Sequence, residues 1–64
     1  MTTKELETMG YTVKHSDICW WVDGVCGYRV TGYYGSEQEA VNAAWTEIQI
    51  ARAMGKHPIW LYGE

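Results

Sequence analysis

The sequence has few of the features that mark catalytic or nucleic-acid-binding proteins. Its 64 residues include no Phe, one Pro, two Cys and only five basic residues, against eight acidic ones. A net charge of −3 has the wrong sign for gripping a phosphate backbone and is too small for a nucleic-acid mimic. No apolar run approaches a membrane span of about 18 residues, and the N-terminus carries no apolar signal region. We therefore expect a cytoplasmic protein with reduced thiols and no membrane span.

Patterns typical of an active site are also missing. Glu37, Glu39 and Glu47 have the spacing of helix capping and of a solvated helix surface, and no glycine-rich phosphate loop occurs. Cys19 and Cys26 fall in β-forming segments and not at a helix N-terminus, which would stabilise a nucleophilic thiolate. The sequence therefore predicts a protein that is not an enzyme and needs no cofactor.

Aromatic residues are abundant, with four Trp and five Tyr. A domain this small buries only about 60% of the surface of its unfolded chain, so its core needs large side chains. Nine aromatics still exceed what one sheet face and one helix stripe can cover. Some of them should be exposed, where clustered apolar surface usually marks an interaction site.

The first segment of the chain predicts a short helix followed by a strand. Thr2 and Glu5 form a capping-box pattern and Gly10 suits the position after a helix, which together indicate a helix over residues 3–9. Alternation from Tyr11 to Ser16 then indicates a half-buried strand.

The pair Asp23-Gly24 lies between β-forming residues and predicts a hairpin with a two-residue type I′ turn. In that register Val22 faces Val25 and Cys19 faces Tyr28. One face is free of charge and is predicted to meet the core: Cys19, Trp21, Cys26, Tyr28 and Val30. The other face carries Ile18, Trp20, Val22, Val25, Arg29 and Thr31.

A second capping box begins at Ser36 and predicts a long helix near residues 37–54. One stripe along it should meet the sheet: Val41, Ala44, Trp45, Ile48, Ala51 and Arg52. A thinner apolar line on the far side comprises Ala43, Ile50 and Met54. The β-prone tail from Ile59 to Tyr62 could add a strand. We expect one α+β domain over residues 1–64, with a three- or four-stranded antiparallel sheet, the long helix packed on one face and a short N-terminal helix.

Four side chains could in principle bind zinc: His15, Cys19, Cys26 and His57. Their spacing lacks the tight pairs of structural zinc sites, so buried, reduced cysteines are the preferred interpretation.

From Cys26-Gly27 through Trp45 the chain resembles the C-terminal half of the Lar-type restriction alleviation proteins of phages and prophages. That family shows a Cys-Gly, a short connection and an acidic Glu-Ala-Ile/Val helix that ends in a Trp-Asn pair. Here Glu39-Ala40-Val41 matches the helix, Thr46 follows Trp45, and the family's paired-cysteine knuckles are absent. The resemblance implies a small accessory protein that binds and blocks a host protein, and it carries no metal site over to this chain.

These observations favour a protein-binding accessory module, an inhibitor or modulator of a host or defence protein. The aromatics expected to bind the partner are Trp20, Tyr33, Tyr34, Trp60 and Tyr62. A homodimer is also expected, either through Ala43, Ile50 and Met54 or through strand pairing anchored by Trp60. The alternative is a nucleic-acid or zinc-assisted binding module that uses His15, Cys19, Cys26 and the aromatic sheet face. A third hypothesis is a structural subunit without a heterologous partner.

Overall fold

A computed structural model describes residues 1–25 and 27–59 of the chain. Its elements run in the order α1 (Thr3–Thr8), β1 (Thr12–His15), β2 (Trp20–Asp23) and α2 (Glu37–Ala53). The α+β class, the antiparallel sheet and both helices agree with the sequence-based expectation. Neither helix of the described ranges is long and apolar enough to cross a membrane.

Helix α1 is held at both ends by its own sequence. The Thr2 side chain accepts a hydrogen bond from the Glu5 amide, and the Glu5 carboxylate accepts one from the Thr2 amide. At the other end Gly10 has a φ of 98°, which lets its amide reach the Glu7 carbonyl and the Tyr11 amide reach Leu6. Both local signals are therefore confirmed, and the caps direct Leu6 into the core.

Helix α2 is longer than α1 and is also capped at both ends by its own sequence. Ser36 is its N-cap and accepts a hydrogen bond from the Glu39 amide. Gly55, with a φ of 69°, ends it, and the Lys56 amide donates to the Ala51 carbonyl. The buried stripe consists of Ala40, Val41, Ala44, Ile48 and Ala51. Trp45 is half-buried against the core and Arg52 lies over its ring, so most of the predicted stripe is confirmed.

Within the described residues the sheet has two strands, not three or four. β1 and β2 pair antiparallel, with Thr12 opposite Asp23 and His15 opposite Trp20. The return segment, residues 28–34, follows the other edge of β2 only through isolated bridges, Asp23 to Arg29 and Trp20 to Tyr34. The predicted last strand falls mainly on residues 60–62, which lie outside the described residues.

The predicted two-residue turn at Asp23-Gly24 is wrong. A type I′ turn needs positive φ at both central residues, and among the described residues only Gly10, Gly27 and Gly55 have it. The chain instead continues to Gly27, whose amide donates to the Gly24 carbonyl, and the Gly24 amide donates to the Tyr28 carbonyl. Val22 is therefore opposite Val30, through a 2.8 Å hydrogen bond, and not opposite Val25.

The predicted core face is wrong for β2, where Trp20 and Val22 face the core in place of Trp21, whereas Val30 is buried as predicted. Thr31, predicted on the other face, is fully buried. Val22 and Val30 are fully buried with Leu6, Val41 and Ile48, and Trp20 and Tyr34 pack against that cluster. Trp21 points to the opposite side, and Tyr28 is 69% exposed. The two helices cover one face of the sheet, and the face that carries Trp21 is uncovered by them.

Candidate functional site

The face of the sheet that the helices do not cover carries an aromatic cluster. Strand alternation puts Trp21 there because its neighbours Trp20 and Val22 point to the core. The return segment passes three residues, 31–33, opposite the single residue Trp21, since Val30 bonds to Val22 and Tyr34 to Trp20. This bulge places the Tyr33 ring beside Trp21.

We call Trp21, Arg29 and Tyr33 the outer patch. The Trp21 and Tyr33 rings meet edge to face, with centroids 5.4 Å apart and an interplanar angle of 82°. The Arg29 guanidinium lies 4.5 Å from the centroid of Tyr33. Both are favoured geometries, because an aromatic ring has a negative face and a positive edge. These contacts join three large side chains, of which Tyr33 is 50% exposed and Trp21 and Arg29 are half-buried.

Lys14, a residue of β1, lies at the border of the outer patch. Lys14 is opposite Trp21 in the sheet, and its ammonium lies 3.1 Å from the Asp23 carboxylate. The Lys14 side chain is 53% exposed and that of Asp23 only 16%. An incoming ligand therefore meets the ammonium more readily than the carboxylate. In the sheet Lys14 is opposite Trp21 and Arg29 is opposite Asp23, and the Tyr33 ring contacts both Trp21 and Arg29.

The structure separates the predicted partner-binding aromatics. Tyr33 lies on the outer face, whereas Trp20 and Tyr34 lie on the core side, joined by two backbone hydrogen bonds of 2.7 and 2.9 Å. Trp20 is also stacked against His15, with ring centroids 4.5 Å apart. Trp60 and Tyr62 lie outside the described residues. Trp20 and Tyr34 therefore contribute chiefly to packing at one end of the sheet.

The candidate zinc ligands do not assemble in the described part of the chain. Cys19 is a free thiol whose sulfur lies 3.3 Å from the Ser16 hydroxyl, in the loop that joins β1 to β2. His15 is at the start of that loop, and Cys26 lies outside the described residues. Across residues 1–25 and 27–59 no three His, Cys, Asp or Glu side chains are grouped to hold a metal ion.

Exposed apolar residues form a second surface near the C-terminal end of α2. Ile50 and Met54 are 50% and 60% exposed, and Ala43 is half-buried. Ile50, Met54 and Ile59 line a cleft of about 210 Å³. A neighbouring cleft of about 160 Å³ lies beyond Ile59, between it and Val25. The helix line expected to contact another copy is thus open at Ile50 and Met54.

The sequence-based prediction did not place Trp21 and Arg29 on the same face of the sheet. It assigned Trp21 to the core and Arg29 to the opposite face, because the register derived from Asp23-Gly24 put them on different sides. The local signal for the bulge at residues 31–33 is Gly32, because a glycine inside a strand pattern often marks a bulge. Arg29 shares the face of Trp21 because its bridge partner Asp23 lies on that face.

No protein-family model, no curated protein and no solved structure matches this chain.

Proposed function

We propose that this chain is a non-catalytic, protein-binding accessory module and that its partner docks on the outer patch. The observation that carries the proposal is the mutual contact of Trp21, Tyr33 and Arg29 on a face the helices leave uncovered. Trp, Tyr and Arg are the residue types most enriched among interface hot spots.

The contacts among the side chains of the outer patch support this assignment. Side chains ordered on binding cost about 0.5 to 1.5 kcal/mol each. Here ring contacts hold Trp21, Tyr33 and Arg29 together before any partner arrives. Lys14 and Asp23 on the rim, at 3.1 Å, supply polar contacts around an aromatic centre, which is the usual anatomy of an interface.

The role proposed for the module is that of a phage or prophage accessory protein that inhibits or modulates a host or defence protein in the cytoplasm. It is supported by the resemblance of residues 26–45 to Lar-type proteins, through Glu39-Ala40-Val41 and Trp45. The absence of a membrane-crossing helix among the described residues is compatible with that location.

The test is capture of a bacterial partner on immobilised protein with two matched tyrosine variants. Tyr33→Ala removes a ring of the outer patch, and Tyr28→Ala removes an equally large, 69% exposed ring outside it. We expect the wild type and Tyr28→Ala to retain a stoichiometric protein that Tyr33→Ala loses. Circular dichroism would establish that both variants are folded. Equal recovery by both variants, or recovery of nothing by the wild type, would refute the proposal.

A second candidate function, binding of single-stranded nucleic acid, is favoured by one observation. Lys14 is opposite Trp21 in the sheet and Arg29 lies over Tyr33, so aromatic rings and cations share one face, as they do where single-stranded bases stack beside their phosphates. Asp23 on the same face opposes it. An electrophoretic shift with oligothymidine at low salt tests it, and Tyr33→Ala should abolish any shift.

The proposal extends to self-association. Ile50 and Met54 are exposed, and two copies could bury them across a two-fold axis. The alternative contact, pairing through Trp60, falls outside the described residues. Sedimentation analysis, set out in the Discussion, separates these contacts.

A further inference from the structure

The cleft at the C-terminal end of α2 combines exposed apolar residues with one charge of each sign. Ile50, Met54 and Ile59 line it and are 50%, 60% and 43% exposed. Glu47 and Lys56 line the same cleft, and neither takes part in an ion pair within residues 1–25 and 27–59. The cleft therefore offers apolar surface together with one acid and one base.

The two charged residues lie at opposite ends of the apolar pair formed by Ile50 and Met54. Glu47 precedes Ile50 by three residues, which is about 4.5 Å along the helix axis. Lys56 follows Met54 beyond the helix, and its amide donates to the Ala51 carbonyl at 2.8 Å, which keeps it beside the last turn. The order along the cleft is thus an acid, two apolar side chains and a base.

This order is complementary to its own reverse. In an isologous contact the same surface of two copies meets about a two-fold axis, so residue i of one copy contacts residue j of the other and j contacts i. When the axis passes between Ile50 and Met54 at a right angle to α2, the two helices run antiparallel. Glu47 of each copy then lies beside Lys56 of the other. A parallel pair would instead bring each charged residue against its own copy, and like charges at a contact are unfavourable.

We propose that the cleft is the contact between two copies of this chain, packed antiparallel along α2; this inference rests on the self-association included in the proposed function. Ile50 and Met54 of both copies form its apolar centre, and two symmetric pairs of Glu47 with Lys56 border it. The apolar centre supplies most of the affinity, because exposed ion pairs contribute little energy. The ion pairs select the antiparallel direction, because charge complementarity fixes the register of a contact.

The experiment is sedimentation equilibrium of the full chain and its variants at loadings from about 10 to about 500 micromolar, the range in which a small interface assembles. Glu47→Lys places a lysine beside Lys56 of the second copy, and Lys56→Glu places a glutamate beside Glu47. Glu7→Lys is the matched control, because it makes the same charge change on the exposed surface of α1. Circular dichroism would check that each variant keeps the fold.

We expect the wild type and Glu7→Lys to dimerise equally. Glu47→Lys and Lys56→Glu should each raise the dissociation constant roughly tenfold, because two ion pairs become two like-charge contacts. An equimolar mixture of these two variants should dimerise as the wild type does, since every contact between the two positions then joins a lysine to a glutamate. Ile50→Ala should weaken the dimer more than Trp60→Ala does.

Four outcomes would each overturn the inference: a monomer at all loadings, charge variants that dimerise as well as Glu7→Lys, no recovery in the mixture, or a larger effect of Trp60→Ala than of Ile50→Ala. Partner docking is measured separately, because the described residues that line the cleft include none of the outer patch. Loss of the dimer with Tyr33-dependent capture intact would refute the self-association alone. Loss of Tyr33-dependent capture would refute the docking proposal, so the two failures are distinguishable.

Discussion

The hydroxyl of Thr31 should be a principal determinant of the fold, because it accepts the hydrogen bond that the Val22 amide would otherwise donate to a strand carbonyl. Thr31 is fully buried, and its Oγ1 accepts a 3.2 Å hydrogen bond from the Val22 amide. The same hydroxyl donates to the Gly32 carbonyl at 2.8 Å. A regular third strand would offer a carbonyl to Val22, and the bulge at residues 31–33 removes it. Thr31→Val keeps the shape of the side chain and deletes both hydrogen bonds.

The expected cost of Thr31→Val follows from these contacts. A buried amide left without an acceptor costs about 1 to 3 kcal/mol, and the extra methyl group returns part of this through burial. We therefore expect a loss of roughly 2 kcal/mol. A chain of this length has an unfolding free energy on the order of 3 to 10 kcal/mol, so the loss is a large fraction of the total. The melting temperature should fall by roughly 8 to 16 °C.

Thermal and urea unfolding of two Thr→Val variants tests this. Thr46 is the control, because its hydroxyl bonds to the Asn42 carbonyl on the exposed side of α2. We expect Thr46→Val to change stability by less than about 0.5 kcal/mol, as surface substitutions usually do. Hydrogen exchange of the Val22 amide should accelerate only in Thr31→Val. Equal stability of the two variants, with Val22 still protected, would refute the role given to the Thr31 hydroxyl.

Three further predictions concern the helix ends and self-association. Gly10→Ala should cost about 1 to 2 kcal/mol in urea unfolding, because φ is 98° and the new Cβ would lie 2.5 Å from Val25. Gly55→Ala should cost less, since its φ is 69° and its Cβ would meet nothing within 4 Å; the reverse order would contradict this account. Ser36→Ala should cost about 1 kcal/mol through loss of the α2 N-cap, and an unchanged urea midpoint would count against that cap. If the chain dimerises through Trp60, Trp60→Ala should weaken the dimer by about 2 kcal/mol in sedimentation equilibrium and exceed the effect of Ile50→Ala. A wild-type mass of 7.3 kDa at all loadings would exclude the dimer.

The helices were predictable because the signals for their ends are local. Thr2 with Glu5, and Ser36 with Glu39, satisfy amides within the same helical turn, and the glycines after each helix supply positive φ. Such contacts depend on residues three to six positions apart, and the sequence displays them directly. Packing of α2 on the sheet then follows from the 3.6-residue period of its apolar stripe.

The hairpin could not be predicted in the same way, because its register depends on distant contacts. Asp23-Gly24 is a favoured turn pair, yet Val22 pairs with Val30, five residues beyond Val25, and both valines are fully buried. Burial of both valines in one core outweighs the local turn preference. A register error changes which side chains share a face of the sheet. The predicted register therefore did not bring Trp21 into contact with Tyr33.

The choice of core face had a second difficulty. Trp20 and Trp21 are chemically identical neighbours, and alternation alone cannot say which one faces α2. The sequence-based choice of core face depends on the absence of charged residues. It places Trp21 in the core because the predicted register puts Arg29 on the face of Trp20. In the structure Arg29 shares the outer face with Trp21, since Asp23 is its bridge partner. The candidate site thus depends on one bulge, at residues 31–33, whose geometry is set by tertiary packing.

The central claim, that a partner docks on the outer face of the sheet, is tested most directly by chemical shift mapping. The ¹⁵N-labelled chain would be titrated with the protein recovered by capture. We predict that the largest changes occur at the Trp21 indole and at the amides of Arg29 and Tyr33, with little change at Ile50 and Met54. Changes concentrated at Ile50 and Met54, with the Trp21 indole unmoved, would contradict the claim.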